Sequence, residues 1–214
     1  MPKSPSPNNA LGAAALIIIL MVASATGAAE TWPRSRAYRT LAAELIVLAG
    51  DVQRLREDDP PPQRRDGLWL RIRGGLAALP LMYRESGLPP PRQTIARLRK
   101  IHDPALLHRQ LEELGQQVPF DTTGILPPDD RPAALAMAKT LHQTHCAACH
   151  DGAPLNPNKP LAAEDLFAMA GAMDEREFAA RLHNGVRGDQ LTGLVTPLSD
   201  MDQAALLGYY RRGL

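Results

Sequence analysis

The chain has 214 residues, enough for one or two domains, and its 24 basic and 23 acidic side chains nearly balance. This balance argues against nucleic-acid binding through bulk electrostatics. Only 4% of the residues are aromatic while 20 are prolines, a composition that favours short helices with proline-broken connections over a β-sandwich. We therefore expect an all-α protein.

Residues 1–29 have the layout of a secretory signal. Lys3 supplies a positive start, the uncharged stretch 10–29 is strongly apolar from 11 to 22, and small residues follow. The alternative is an uncleaved anchor, although a transmembrane helix needs about 20 apolar residues and the apolar core here is shorter. Both interpretations predict a periplasmic protein, either soluble or tethered to the membrane through residues 10–29.

Residues 30–118 predict a bundle of three to four helices. The apolar residues of the first helix recur at alternating three- and four-residue spacing: Tyr38, Leu41, Leu45, Leu48, Val52 and Leu55. A second stripe consists of Trp69, Ile72, Leu76, Leu79 and Tyr83, and Pro80 is expected to bend or shorten that helix. Asp103-Pro104 opens a later helix, because an N-cap followed by proline is typical of a helix start. The proline-rich stretch 119–130 is predicted to be a linker.

The only two cysteines of the chain, Cys146 and Cys149, are followed at once by His150. In an exported chain this Cys-x-x-Cys-His run predicts one covalently attached c-type haem. Two thiols one helical turn apart can each form a thioether with a haem vinyl group, and the His150 imidazole can then bind the iron as proximal ligand. Three alternatives use the same cysteines: a structural disulfide, a thioredoxin-like redox pair, and a zinc site completed by His142 and His145.

Several features follow in a fixed order over residues 131–214. A helix beginning at Pro132 leads into the motif and contains Ala138 and Leu141-His142. Downstream come the glycine stop Asn184-Gly185, the Gly185-x-Arg187 turn, the Ser199–Asp202 capping box, and a closing helix with Leu206, Leu207, Tyr209 and Tyr210. This order resembles the class I c-type cytochromes, especially small bacterial electron carriers with one haem. Ala138 and Leu141-His142 stand at the positions where the family often has a glycine and an aromatic residue facing the last helix. The resemblance implies an all-α chain in which an N-terminal helical bundle precedes a class I cytochrome c-like haem domain.

The resemblance also implies roles for single residues near the haem. In the family a loop proline carbonyl accepts a hydrogen bond from the proximal histidine, which fixes the ring and raises its basicity. Pro160 is the best match for that proline. Arg187 corresponds to the arginine of the family's Gly-x-Arg turn, which makes it a second residue expected beside the haem.

The distal side of the iron departs from the family pattern. The family places a methionine in the loop before the closing helix, but residues 186–199 contain none. Leu191 aligns near the expected position and Leu194 lies one turn later, and leucine cannot bind iron. The iron is then five-coordinate or water-bound, or another residue of this domain is the ligand, or the preceding helical region supplies one. The candidate ligands are Met169, Met173, Met201 and His183.

Together these features predict single-electron transfer by a monohaem protein, either a free carrier or a subunit of a larger redox complex. Its partner would be another redox protein, and no catalytic residue is expected. The missing methionine supports an alternative function, binding or sensing of a small ligand at an open iron position.

Overall fold

The computed structural model describes Met1 and residues 35–57, 61–151, 164–185 and 198–213. Over these residues the regular elements are helices, with one isolated bridge between Thr123 and Leu126, so the prediction of an all-α protein is confirmed. The helices are α1 (Arg36–Glu57), α2 (Pro62–Glu85), α3 (Arg92–Leu98), α4 (Pro104–Gln117), α5 (Pro132–His145), α6 (Ala147–His150), α7 (Leu166–Ala172), α8 (Glu175–Asn184) and α9 (Asp200–Arg212). None of these described helices is both long enough and apolar enough to cross a membrane.

Four groups of predictions fall outside the described residues. They concern the leader or anchor within 1–29, the loop proline Pro160, the turn residue Arg187, and the leucines Leu191 and Leu194. They stay predictions.

Helix α1 is the centre of the fold, since it packs against α2, α4 and α8. Five consecutive residues in its middle, Leu41 to Leu45, are all buried, so every side of this turn is covered. The predicted stripe is confirmed: Leu48 and Val52 are also buried, and Tyr38 and Leu55 are partly buried at its two ends.

Helix α2 continues through Pro80 to Glu85, so Pro80 does not shorten the helix, and the alternative that it bends the helix stays a prediction. A proline inside a helix removes one backbone hydrogen bond and crowds the preceding turn. Around Pro80, however, the side chains of Leu79, Met82 and Tyr83 are buried in the core. The packing of these side chains holds the last turns of α2 in helical geometry despite the lost bond.

The close approach of α2 to α1 depends on Gly75. A Cβ atom at this position would lie 2.6 Å from the Leu48 side chain and 2.6 Å from the Glu44 carboxylate of α1. The neighbouring Gly74 faces open space, with nothing within 4 Å of such an atom. Glycine has a low helix propensity, but at position 75 the contact between the two helices requires it.

The segment 119–130 connects α4 to α5 and packs against the rest of the fold. Phe120 and Ile125 are buried, and the Asp129 N–H donates to the Ala204 carbonyl in α9 at 2.9 Å. The described residues from Ser35 onward belong to one compact unit. Within it, the predicted division into a helical region (30–118), a linker (119–130) and a haem domain (131–214) stays a prediction.

Helices α5 and α9 pack against each other, and the helix ends near them follow the predicted signals. Helix α8 ends at Asn184, and Gly185 directly after it has a φ of +67°. The capping box at the start of α9 is present: the Asp202 N–H donates to Ser199 Oγ at 3.2 Å, and the Ser199 N–H donates to Asp202 Oδ2 at 2.8 Å.

Helix α7 is an element that no sequence pattern predicted. It begins after Asp165, whose side chain accepts a hydrogen bond from the Ala168 N–H at 2.9 Å. Only Leu166 and Ala170 of its 7 residues are buried. A single apolar pair four residues apart is too short a pattern to distinguish a helix from a loop.

Candidate functional site

The Cys-x-x-Cys-His motif forms a helical turn directly after α5. The Cys146 N–H donates to the His142 carbonyl at 2.8 Å and ends that helix. The N–H groups of Cys149 and His150 then both donate to the Cys146 carbonyl, at 3.1 and 3.0 Å. Cys146 is partly buried against the core, Cys149 is exposed, and both thiols are free. The turn thus presents two unpaired thiols and one imidazole on a single short element.

The His150 ring is oriented by a backbone carbonyl. Its Nδ1 lies 2.5 Å from the carbonyl oxygen of Glu164, the residue before the α7 N-cap. Because a carbonyl only accepts, Nδ1 carries the proton, and the lone pair of the neutral ring is on Nε2. Nε2 has no partner among the described residues. The acceptor that the structure describes for His150 is thus the carbonyl of Glu164, which no residue-type pattern identifies because every residue has a carbonyl.

His142 is a buried imidazole whose two nitrogens both have partners. Nδ1 lies 2.9 Å from the Tyr210 hydroxyl of α9, and Nε2 lies 3.0 Å from Asp151 Oδ2. The Phe167 and Tyr209 rings complete its surroundings, at centroid distances of 5.6 and 5.8 Å. His142 therefore connects α5, the residue after the motif, α7 and α9, and both of its ring nitrogens are engaged.

This arrangement bears on the zinc interpretation. With both nitrogens of His142 engaged, the predicted pair of extra ligands is reduced to His145, which is exposed. Within the residues that the structure describes, no three His, Cys, Asp or Glu side chains are grouped to hold a metal ion.

The electrostatics at Cys146 bear on the redox-pair interpretation. Burial raises the pKa of the Cys146 thiol; a hydrogen bond with Tyr210 opposes this shift in part, and the charge of Asp151 adds to it. Reactive thiols of thioredoxin-like pairs have lowered pKa values, so that the thiolate forms near neutral pH. The shift at Cys146 therefore favours the neutral thiol, the opposite of the shift typical of such pairs.

The predicted distal-ligand candidates occupy different surroundings. Met169 and Met173 are partly buried against the core at α7, whereas Met201 is 74% exposed on α9. His183 is only 4% exposed and lies beside Phe120, with ring centroids 5.7 Å apart. Met201 therefore faces solvent, whereas His183 is enclosed.

His183 borders a cavity of about 140 Å³. The other lining residues come from α1 and from the start of α9 with the residues before it: Arg36, Arg39, Leu198, Asp200 and Gln203. Burial lowers the pKa of His183, and the positive charge of Arg39 lowers it further, so both favour the neutral ring. The described surroundings of His183 are thus Phe120 and the residues of α1 and α9 that line this cavity, and they do not include Cys146, Cys149 or His150.

Comparison with known proteins adds no further constraint: no protein family, no curated protein and no solved structure matches the chain.

Proposed function

We propose that the chain is a periplasmic or membrane-tethered c-type cytochrome with one covalent haem, and that it transfers single electrons to and from other redox proteins. It acts as a free carrier or as a subunit of a larger redox complex. The observation that carries the proposal is the hydrogen bonding of the two ring nitrogens of His150. Its Nδ1 is held by the Glu164 carbonyl, and its Nε2 lone pair is unengaged among the described residues, on the turn that carries both free cysteines.

The chemistry of the donor set suits haem c. Each Sγ, of Cys146 and of Cys149, would add to a vinyl group of the porphyrin: a carbon–sulfur bond forms at the vinyl carbon next to the ring, and the thiol proton ends on the terminal carbon. His150 would donate its Nε2 lone pair to the iron. The hydrogen bond to Glu164 would fix the plane of the ring and raise its basicity.

The surrounding helices favour a rigid attachment site, which suits electron transfer. Bound haem supplies an iron that cycles between the ferric and ferrous states. The His142–Tyr210 hydrogen bond connects the helix that leads into the motif to the closing helix. The packing of α5 against α9 and the capping box at Ser199 agree with the resemblance to class I c-type cytochromes on which the proposal also draws.

Small-ligand binding is the second candidate function. It is favoured by the absence of methionine from residues 186–199, together with the solvent exposure of Met201. A five-coordinate or water-bound iron would bind carbon monoxide or nitric oxide, whereas a carrier needs no vacant position.

The first experiment tests the covalent haem. The chain is expressed with a c-type haem maturation system and stained for haem on a denaturing gel. We expect staining in the wild type and in the His145→Ala control, which changes an exposed residue of α5, and none in the Cys146→Ala/Cys149→Ala double variant. Staining that persists in the double variant, or a folded wild-type protein without haem, would refute the proposal.

The second experiment separates the two functions. Spectra of the ferric and ferrous protein are recorded with and without carbon monoxide. A low-spin ferrous haem that does not react with carbon monoxide supports the carrier, and rapid, tight binding supports the ligand-binding function.

A further inference from the structure

The helices before the motif contact the residue that orients His150. Arg64 Nη2 of α2 lies 2.7 Å from Glu164 Oε1, and the main-chain carbonyl of the same Glu164 accepts from His150 Nδ1 at 2.5 Å. One residue therefore carries two contacts, with its side chain toward α2 and its backbone toward the proximal histidine. The two side chains of the ion pair are about two-fifths exposed, at 40% and 38%.

Glu164 is held from both sides. On its C-terminal side, Asp165 caps α7 and Leu166 is buried, which fixes where the helix begins. The side chain of Glu164 forms its ion pair with Arg64 of α2. The Glu164 carbonyl therefore depends on the position of α2 as well as on that of α7.

A buried ionic cluster fixes the position of α2. Asp51 of α1 has a fully buried carboxylate, which accepts hydrogen bonds from Arg71 Nε of α2 at 2.6 Å and from Arg181 Nη2 of α8 at 2.8 Å. Arg71 lies seven residues after Arg64, so the two arginines share one face of α2. The same face of α2 is thus bound to α1 and to the residue that orients His150.

We propose that Arg64 is a positioning residue for the proximal histidine, through which the N-terminal helices tune the haem iron. This inference rests on the proposed function. A hydrogen bond from Nδ1 to a carbonyl raises the basicity of the ring, and a more basic ligand favours ferric iron. Without the Arg64–Glu164 ion pair, the Glu164 carbonyl is less well fixed and its hydrogen bond with His150 Nδ1 becomes weaker. The reduction potential of the haem iron therefore rises.

Two substitutions separate positioning from simple charge effects. Arg64→Ala removes a positive charge and Glu164→Ala removes a negative one, so a direct electrostatic effect on the iron has opposite signs in the two variants. Both variants keep the carbonyl at position 164 but break the ion pair, so a positioning effect has the same sign in both. Arg84→Ala and Glu85→Ala, at the exposed end of α2, make the same charge changes where no side-chain contact to Glu164 exists.

The experiment measures the midpoint potential of each purified holoprotein, together with solvent exchange of the His150 Nδ1 proton by NMR. We expect a positive shift and several-fold faster exchange in both Arg64→Ala and Glu164→Ala, smaller changes in Arg64→Lys, and wild-type values in the Arg84→Ala and Glu85→Ala controls. Shifts of opposite sign in the two ion-pair variants, or unchanged potentials and exchange, would overturn the inference while leaving the haem assignment intact. Failure of the wild type to retain haem on a denaturing gel would instead refute the proposed function.

Discussion

Replacing the buried carboxylate of Asp51 is the most demanding test of how the helices are held together. Besides Arg71 and Arg181, this carboxylate accepts a hydrogen bond from Arg54 at 3.1 Å, so Asp51→Asn leaves three guanidinium groups without their central anion. Removing one partner of a buried ion pair costs about 3–5 kcal/mol. The Arg71 side chain is 31% exposed and can be rehydrated in part, so we expect the lower end of that range.

The expected loss of about 3 kcal/mol corresponds to a fall in Tm of about 6–12 °C for a chain of this size. Thermal and urea unfolding of Asp51→Asn are compared with those of Asp66→Asn. Asp66 is an exposed residue of α2, and its substitution should leave the stability within about 0.5 kcal/mol of wild type.

The pH dependence of the stability provides an independent check of the role of Asp51. Burial alone would raise the pKa of Asp51, but the charges and hydrogen bonds of Arg181 and Arg71 outweigh it and hold the pKa below the usual 3.8. A group with a lowered pKa stabilises the fold fully above its unfolded value and loses that contribution as the pH falls through its folded value. The difference in free energy of unfolding between wild type and Asp51→Asn should therefore have its full size at neutral pH and decrease below about pH 4. Equal stabilities at neutral pH, or a gap that persists unchanged in acid, would refute this account.

Three smaller predictions concern packing, hydrogen bonding and capping, all measured by urea unfolding. Gly75→Ala should destabilise the fold by about 1–3 kcal/mol because the added Cβ would overlap the Leu48 side chain. Gly74→Ala should instead stabilise it by about 0.5–1 kcal/mol, because alanine has the higher helix propensity and its Cβ would meet open space. Similar effects of the two changes would contradict the packing of α2 on α1. Tyr210→Phe should cost about 1–3 kcal/mol because it leaves the buried Nδ1 of His142 without its hydrogen-bond partner, and a neutral effect would mean that this hydrogen bond is absent. Ser199→Ala should cost about 1 kcal/mol through loss of the capping box, and no loss would show that α9 does not depend on its cap.

Much of the helical architecture follows from local patterns in the sequence. The stripe from Leu41 to Val52, the N-cap at Asp103 and the stop at Gly185 all appear where they were predicted. Each of these signals depends on side chains within one or two turns of the chain, where spacing and capping chemistry decide the conformation.

The contacts that orient the candidate site were harder to predict. The acceptor for His150 is a main-chain carbonyl at Glu164, so its identity depends on where the backbone passes and not on the residue type. The Arg64–Glu164 ion pair joins residues 100 positions apart, and surface arginines are common enough that the sequence does not single this one out. Pro80 shows the complementary case, because α2 continues past this local helix breaker where its neighbours in the helix are buried.

The burial of α1 has a consequence for the order in which the chain acquires its structure. Glu44 in the middle of α1 accepts a hydrogen bond from Asn184 of α8, a residue 140 positions later. At typical rates of synthesis this partner emerges on the order of ten seconds after α1. Among the helices that the structure describes, the first to be made is therefore among the last to be fully enclosed, and a nascent chain that stops before α8 leaves one side of α1 exposed.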